Sequence, residues 1–162
     1  MEPKFVTKDE FIVVGMECIS KNENGEFGQL WGEFLGRMNE IENRVSSCGC
    51  YGLCGCGPDC DPEKGECKCD EAGFRYMACV EVSNAEKIPA GMVTETVPGA
   101  KYAVFTHVGG LDKLHDTYNN IYQSWLSNSG CEVAGCFCFE LYDERFNPTG
   151  ENSELDIYVP VK

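Results

Sequence analysis

The chain has 162 residues, of which 43% are hydrophobic, enough to bury a core in one domain. A formal charge of −14 and only 13 Lys and Arg exclude a phosphate-reading surface, so direct nucleic-acid binding is not expected. No stretch approaches the roughly 18 apolar residues of a membrane span. The start, Met1-Glu2-Pro3-Lys4, lacks the basic and apolar regions of a signal peptide, so the expected location is cytoplasmic.

In chain order, Phe5 to Ile19 reads as strand around the β-branched run Phe11-Ile12-Val13-Val14, and Asn22 to Gly25 breaks it. Phe27, Leu30, Trp31, Phe34, Leu35, Met38, Ile41 and Val45 then recur at helical spacing. Ser46 to Gly73 follows as a loop without periodicity. Tyr76 to Val82 is a strand, and Met92 to Val97 and Lys101 to Val108 pair around Pro98-Gly99. Leu111, Leu114, Tyr118, Ile121, Tyr122, Trp125 and Leu126 share the face of a second helix that stops at Gly130. Cys136 to Phe146 and Leu155 to Val161 close the chain as strands.

The order is strand, helix, two strands, and then the same again, which suggests a duplication with halves at roughly 1–97 and 98–162. Cys79-Val80-Glu81-Val82 answers Cys138-Phe139-Glu140-Leu141, placing Glu81 and Glu140 at related positions. The fold class is α+β: one domain over 1–162, with an antiparallel sheet and two helices.

Seven of the twelve cysteines fall between residues 48 and 69: Cys48, Cys50, Cys54, Cys56, Cys60, Cys67 and Cys69. Thiols this dense are either bonded to one another or bound to a soft metal, and the expected compartment favours the metal. Two tetrahedral ions sharing one bridging sulfur use seven thiolates, whereas one four-cysteine ion leaves spares. Zinc is expected at one or two ions, with other thiophilic metals as alternatives. Segment 46–73 holds too little apolar content to order itself, so metal would supply its folding free energy.

Glu140 lies on a strand whose opposite face carries Phe137, Phe139 and Leu141. A carboxylate on an inward face would be desolvated and would favour either protonation or a cationic partner. Aromatic faces nearby would add cation–π attraction. His107, alternating within an apolar strand, and His115, on a helix, accompany no recognisable nucleophile.

From about residue 74 the chain resembles the GyrI-like effector-binding domains of multidrug-responsive and AraC-type regulators. The resemblance rests on Tyr76 to Val82, Ile88-Pro89-Ala90-Gly91, Tyr102 to Gly110, Ile121 to Leu126 and Phe139 to Phe146, in that order. It implies two strand-helix-strand-strand modules with an aromatic groove between the helices, and it nominates Glu140 as anchor for lipophilic cations. Tyr142, Trp31 and Tyr76 are the expected neighbours, with Glu81 as a second carboxylate.

No helix-turn-helix precedes the domain, so the expectation is a free-standing receptor whose transcriptional role would run through a partner regulator protein. Two alternatives remain open. Some free-standing relatives are implied to hydrolyse electrophilic small molecules, with Glu140 then the catalytic base. The cysteine segment, outside the resemblance, could itself be the function, as metal storage or metal response.

Overall fold

The computed structural model describes residues 2–20, 24–45, 49–55, 74–134, 137–147 and 150–162. Among the described residues, eight strands form one antiparallel sheet: β1 (Lys4–Lys8), β2 (Phe11–Ser20), β3 (Cys50–Gly55), β4 (Phe74–Val82), β5 (Val93–Val97), β6 (Ala100–Val108), β7 (Cys138–Tyr142) and β8 (Glu154–Pro160). Their spatial order is β1-β6-β8-β7-β3-β4-β2-β5.

Helix α1 spans Glu26–Arg37, entered through Gly25 in the left-handed region. The second helical stretch starts with a 3-10 turn at Leu111–Lys113. It continues as α2 (Leu114–Asn119), a π-helical segment (Asn120–Trp125) and α3 (Leu126–Ser129), ending at the left-handed Gly130.

Chain connectivity forces the sheet to curl. β1 lies at one edge and β2 near the other, yet only Asp9 and Glu10 separate them. β5 and β6 stand in the same relation across Pro98 and Gly99. The curl encloses an inner core of Phe11, Val13, Tyr51, Leu53, Met77 and Phe139, with further residues from β5 and β6. Its aromatics interlock: Phe139 stacks on Tyr158 at 4.5 Å and meets Tyr51 edge-on at 5.4 Å.

Strand alternation sends the other side chains outward, and both helices cover that outer face. α1 buries Leu30 and Phe34 against Val14, Ala78 and Val80. The second helical stretch buries Ile121 against Ala103, Phe105, Leu155 and Ile157. Trp125 packs on Phe105 at 5.0 Å, as core. Because the helices share one face, β3 and β7 form the floor between them.

Three expectations need correction. Residues 50–55 lie inside the segment expected not to order itself, yet they form β3, paired with both β4 and β7. Tyr51 and Leu53 point into the inner core, and that burial orders the strand. Second, β1 belongs by sequence to the first half but pairs with β6 of the second. Third, β7 is answered across the middle of the sheet by β3, with Gly52 opposite Glu140, and not by β4. Glu81 therefore shares the inner-facing side of β4 with Met77 and Cys79 and does not line the groove.

Candidate functional site

Glu140 stands on the floor between the helices and is 4% exposed. Its outward direction follows from Phe139 and Leu141, which the inner core takes on the opposite face. A lone carboxylate in such a place would be costly, and three phenols surround it. Tyr118 donates a hydrogen bond to Oε1 at 2.6 Å. Tyr76 and Tyr142 donate to Oε2 at 3.2 and 2.5 Å. The Trp31 indole N–H in turn donates to the Tyr76 hydroxyl at 2.9 Å.

Four elements supply these residues: Trp31 from α1, Tyr76 from β4, Tyr118 from α2, and Tyr142 with Glu140 from β7. The rings brace one another. Phe27 stacks on Tyr76 at 4.3 Å, Trp31 meets Tyr142 edge-on at 5.0 Å, and Phe146 meets Tyr142 at 4.8 Å. Every phenol thus has both a packing neighbour and a common acceptor.

Burial pushes the Glu140 carboxyl above its ordinary range, and the three phenol hydrogen bonds oppose that shift. Burial and then the Glu140 charge push Tyr76, Tyr118 and Tyr142 up, so all three remain proton donors. The result is a partly offset negative centre inside an aromatic box. Such a box stabilises a cation that can displace the phenols from the carboxylate and present its flat faces to the rings.

Two thiols lie on the same floor. Cys54 and Cys138 are directly opposite one another in the β3–β7 ladder. The two thiols perturb each other: the neighbouring Cys138 and burial push Cys54 up, while Cys54 and Tyr122 beside it pull Cys138 down against its own burial. Cys50, on the same face of β3, donates to the Met38 sulfur at 3.6 Å. An open cleft of about 660 Å³, lined in part by Met38, Arg44, Cys50 and Tyr142, runs beside the box but does not include Glu140. The site is assigned to the box, because only there, among the described residues, does a desolvated carboxylate face aromatic rings.

The structure brings together Glu140, Tyr142, Trp31 and Tyr76, and leaves Glu81 on the other face. Tyr76, at 4% exposure, is a buried wall of the box. Sequence reasoning missed Tyr118, Tyr122, Cys138 and Phe27 as site residues. The signal for Tyr118 and Tyr122 was a pair of hydroxyls four residues apart on an otherwise apolar helix face, which needs a polar partner when buried.

His107 is a structural pin. Its Nε2–H donates to the Gly110 carbonyl at 3.0 Å, and Nδ1 accepts from the Thr117 hydroxyl at 2.7 Å. Of the seven cysteines expected to bind metal, Cys50 and Cys54 are on β3; Cys48, Cys56, Cys60, Cys67 and Cys69 lie outside the described residues. Among the described residues no group of three or more His, Cys, Asp or Glu is gathered as a metal site, and no helix is long and apolar enough to cross a membrane.

Comparison with known proteins gives a consistent result. The family described as Cass2, integron-associated effector binding protein, matches residues 4–161. The transcriptional regulator BrlR of Pseudomonas aeruginosa is 36% identical over 162 residues, covering 99% of this chain and 56% of BrlR. The chain thus spans little more than half of that relative. The structure of SAV2435 bound to tetraphenylphosphonium superposes with a TM-score of 0.77 at 21% identity, covering 100% of this chain and 94% of that one. The integron cassette protein VCH_CASS2 of Vibrio cholerae gives 0.67 at 18% identity, covering 99% and 96%. These two likenesses show the shared α+β fold.

Proposed function

Because the chain belongs to the Cass2 family of integron-associated effector-binding proteins, we propose that it is a receptor for a hydrophobic, flat-faced cation held over Glu140. The observation that carries this reading is a buried carboxylate whose polar partners are three phenols and whose surroundings are aromatic. No basic side chain is hydrogen-bonded to it among the described residues, so the positive charge is left for a ligand to supply. Each ring face in contact with the cation adds about 0.5–2 kcal/mol. The tetraphenylphosphonium seen with SAV2435 has this chemistry. BrlR's designation as a regulator supports a signalling use of the bound state.

The test is a titration with tetraphenylphosphonium, read by tryptophan fluorescence, with triphenylphosphine oxide as the uncharged comparison. Trp31 meets Tyr142 and Tyr76 directly, so saturable quenching by the cation is expected and the neutral compound should bind much more weakly. Equal binding of both, or no saturable binding, removes the proposal.

The cysteine-rich segment carries a separate proposal, that it holds zinc. With Cys50 and Cys54 engaged on β3, Cys48, Cys56, Cys60, Cys67 and Cys69 remain, enough for one tetrahedral four-thiolate ion. About one zinc per chain is expected by elemental analysis of protein purified under reducing conditions. Chelation should leave the fluorescence response to tetraphenylphosphonium intact, because the box draws on none of those five residues. Well under half an equivalent after zinc supplementation would rule the site out.

A further inference from the structure

We propose that Cys54 and Cys138 form a redox-sensitive dithiol on the floor of the effector site, closed to a disulfide by peroxide, whose state sets the affinity for the cation. The effect on affinity rests on the receptor reading above; formation of the bond does not.

The register makes the two residues direct cross-strand partners. Such partners have Cα atoms roughly 4.5–5.5 Å apart. That range lies within the roughly 4.4–6.8 Å a disulfide spans, so no backbone movement is needed. Both thiols are free, and both residues are partly exposed. Other free thiols are differently placed. Cys79 is buried on the inner face and hydrogen-bonds to the Tyr51 carbonyl, and Cys50 faces Met38.

Cys138, whose thiol Cys54 and Tyr122 hold below its ordinary range, is the attacking thiolate. It displaces hydroxide from hydrogen peroxide and becomes a sulfenic acid. The Cys54 thiol attacks that sulfur and expels water, giving the disulfide. Overall, two thiols and one peroxide become a disulfide and two waters.

The coupling to the ligand is local. Cys138 precedes Glu140 by two residues on the same strand face, about 6.7 Å along the strand. Oxidation fixes the Cys138 sulfur to Cys54 and removes an ionisable thiol from the floor beside Glu140. It also alters the thiol beside Tyr122, whose ring stacks on Tyr118, itself a direct partner of Glu140. The oxidised form should therefore bind the cation more weakly.

The experiment treats the full chain with hydrogen peroxide, maps linkages by peptide mass spectrometry, and titrates tetraphenylphosphonium before and after. A Cys54–Cys138 linkage is expected, with affinity reduced by about tenfold, the scale set by removing one hydrogen bond or one charge partner at a desolvated site. Dithiothreitol should reverse it, and Cys138→Ser and Cys54→Ala should each abolish the peroxide effect. Absence of that linkage overturns the redox site, and a linkage that leaves affinity unchanged overturns the coupling. If the reduced protein fails to bind the cation, the receptor reading and the coupling fall together, while the peptide map still decides whether the disulfide forms.

Discussion

Glu140→Gln should weaken tetraphenylphosphonium binding by at least thirtyfold, corresponding to about 2–5 kcal/mol for removing one partner of a buried charge pair. The substitution keeps an acceptor for the phenols but removes the charge. The affinity of the unmodified protein should also depend on pH, because the free carboxyl titrates above its ordinary range. Below that raised value the site is protonated, and cation binding must expel a proton. Affinity therefore rises as pH increases through the free-state pKa, and Glu140→Gln should flatten the curve.

Stability of the ligand-free protein runs the other way. A carboxyl whose folded pKa is raised contributes stability that is present below the unfolded pKa and lost as pH climbs through the folded one. Titrations between about pH 5 and pH 8, paired with urea unfolding at the same pH values, check both signs. If binding is insensitive to Glu140→Gln, the carboxylate is not the anchor. If binding persists while turnover of an electrophilic substrate disappears, Glu140 is a catalytic base.

Gly52→Ala should disable the same site from the opposite strand. Gly52 faces Glu140 in the β3–β7 register. A methyl there would overlap the Tyr76 hydroxyl oxygen and stand 3.0 Å from Glu140 Oε2. Tyr76 cannot retreat, since it is buried, stacked on Phe27 and tied to Trp31. The expected cost is about 1–3 kcal/mol of stability, from overpacking. Loss of the Tyr76–Glu140 hydrogen bond should weaken cation binding with it. The same substitution at Gly36 of α1, where the new methyl meets nothing within 4 Å, should instead stabilise by about 0.5–1 kcal/mol. Urea midpoints of the two variants would separate them, and a Gly52→Ala protein with unchanged midpoint and affinity would contradict this packing.

Much of the frame was legible in the sequence because it depends on local periodicity. The stripe Phe27, Leu30, Trp31 and Phe34 could bury only as a helix, and the second apolar stripe behaved alike. Alternation placed Glu140 opposite Phe139 and Leu141, so once those two were core the carboxylate had to face the helices. Strand β3 was hidden although Tyr51 and Leu53 alternate correctly. Cysteine and glycine between them carry no strand propensity, and the strand exists because β4 and β7 offer it two ladders.

Which strand would lie beside β7 was beyond local reasoning. Placing β4 there instead of β3 made Glu81 a site residue, and a partner strand is chosen by the whole sheet's connectivity. The two-residue links at Asp9-Glu10 and Pro98-Gly99 curl that sheet and put both helices on its outer face. By itself the sequence determined the helices, the strand alternation and the face of β7 on which Glu140 stands. Only the tertiary structure decided that Tyr118 would reach that carboxylate, that Cys54 would meet Cys138, and that Gly52 would leave room for Tyr76. Those pairings join residues 22 to 84 positions apart, distances over which local pattern carries no information and long-range strand pairing alone sets position.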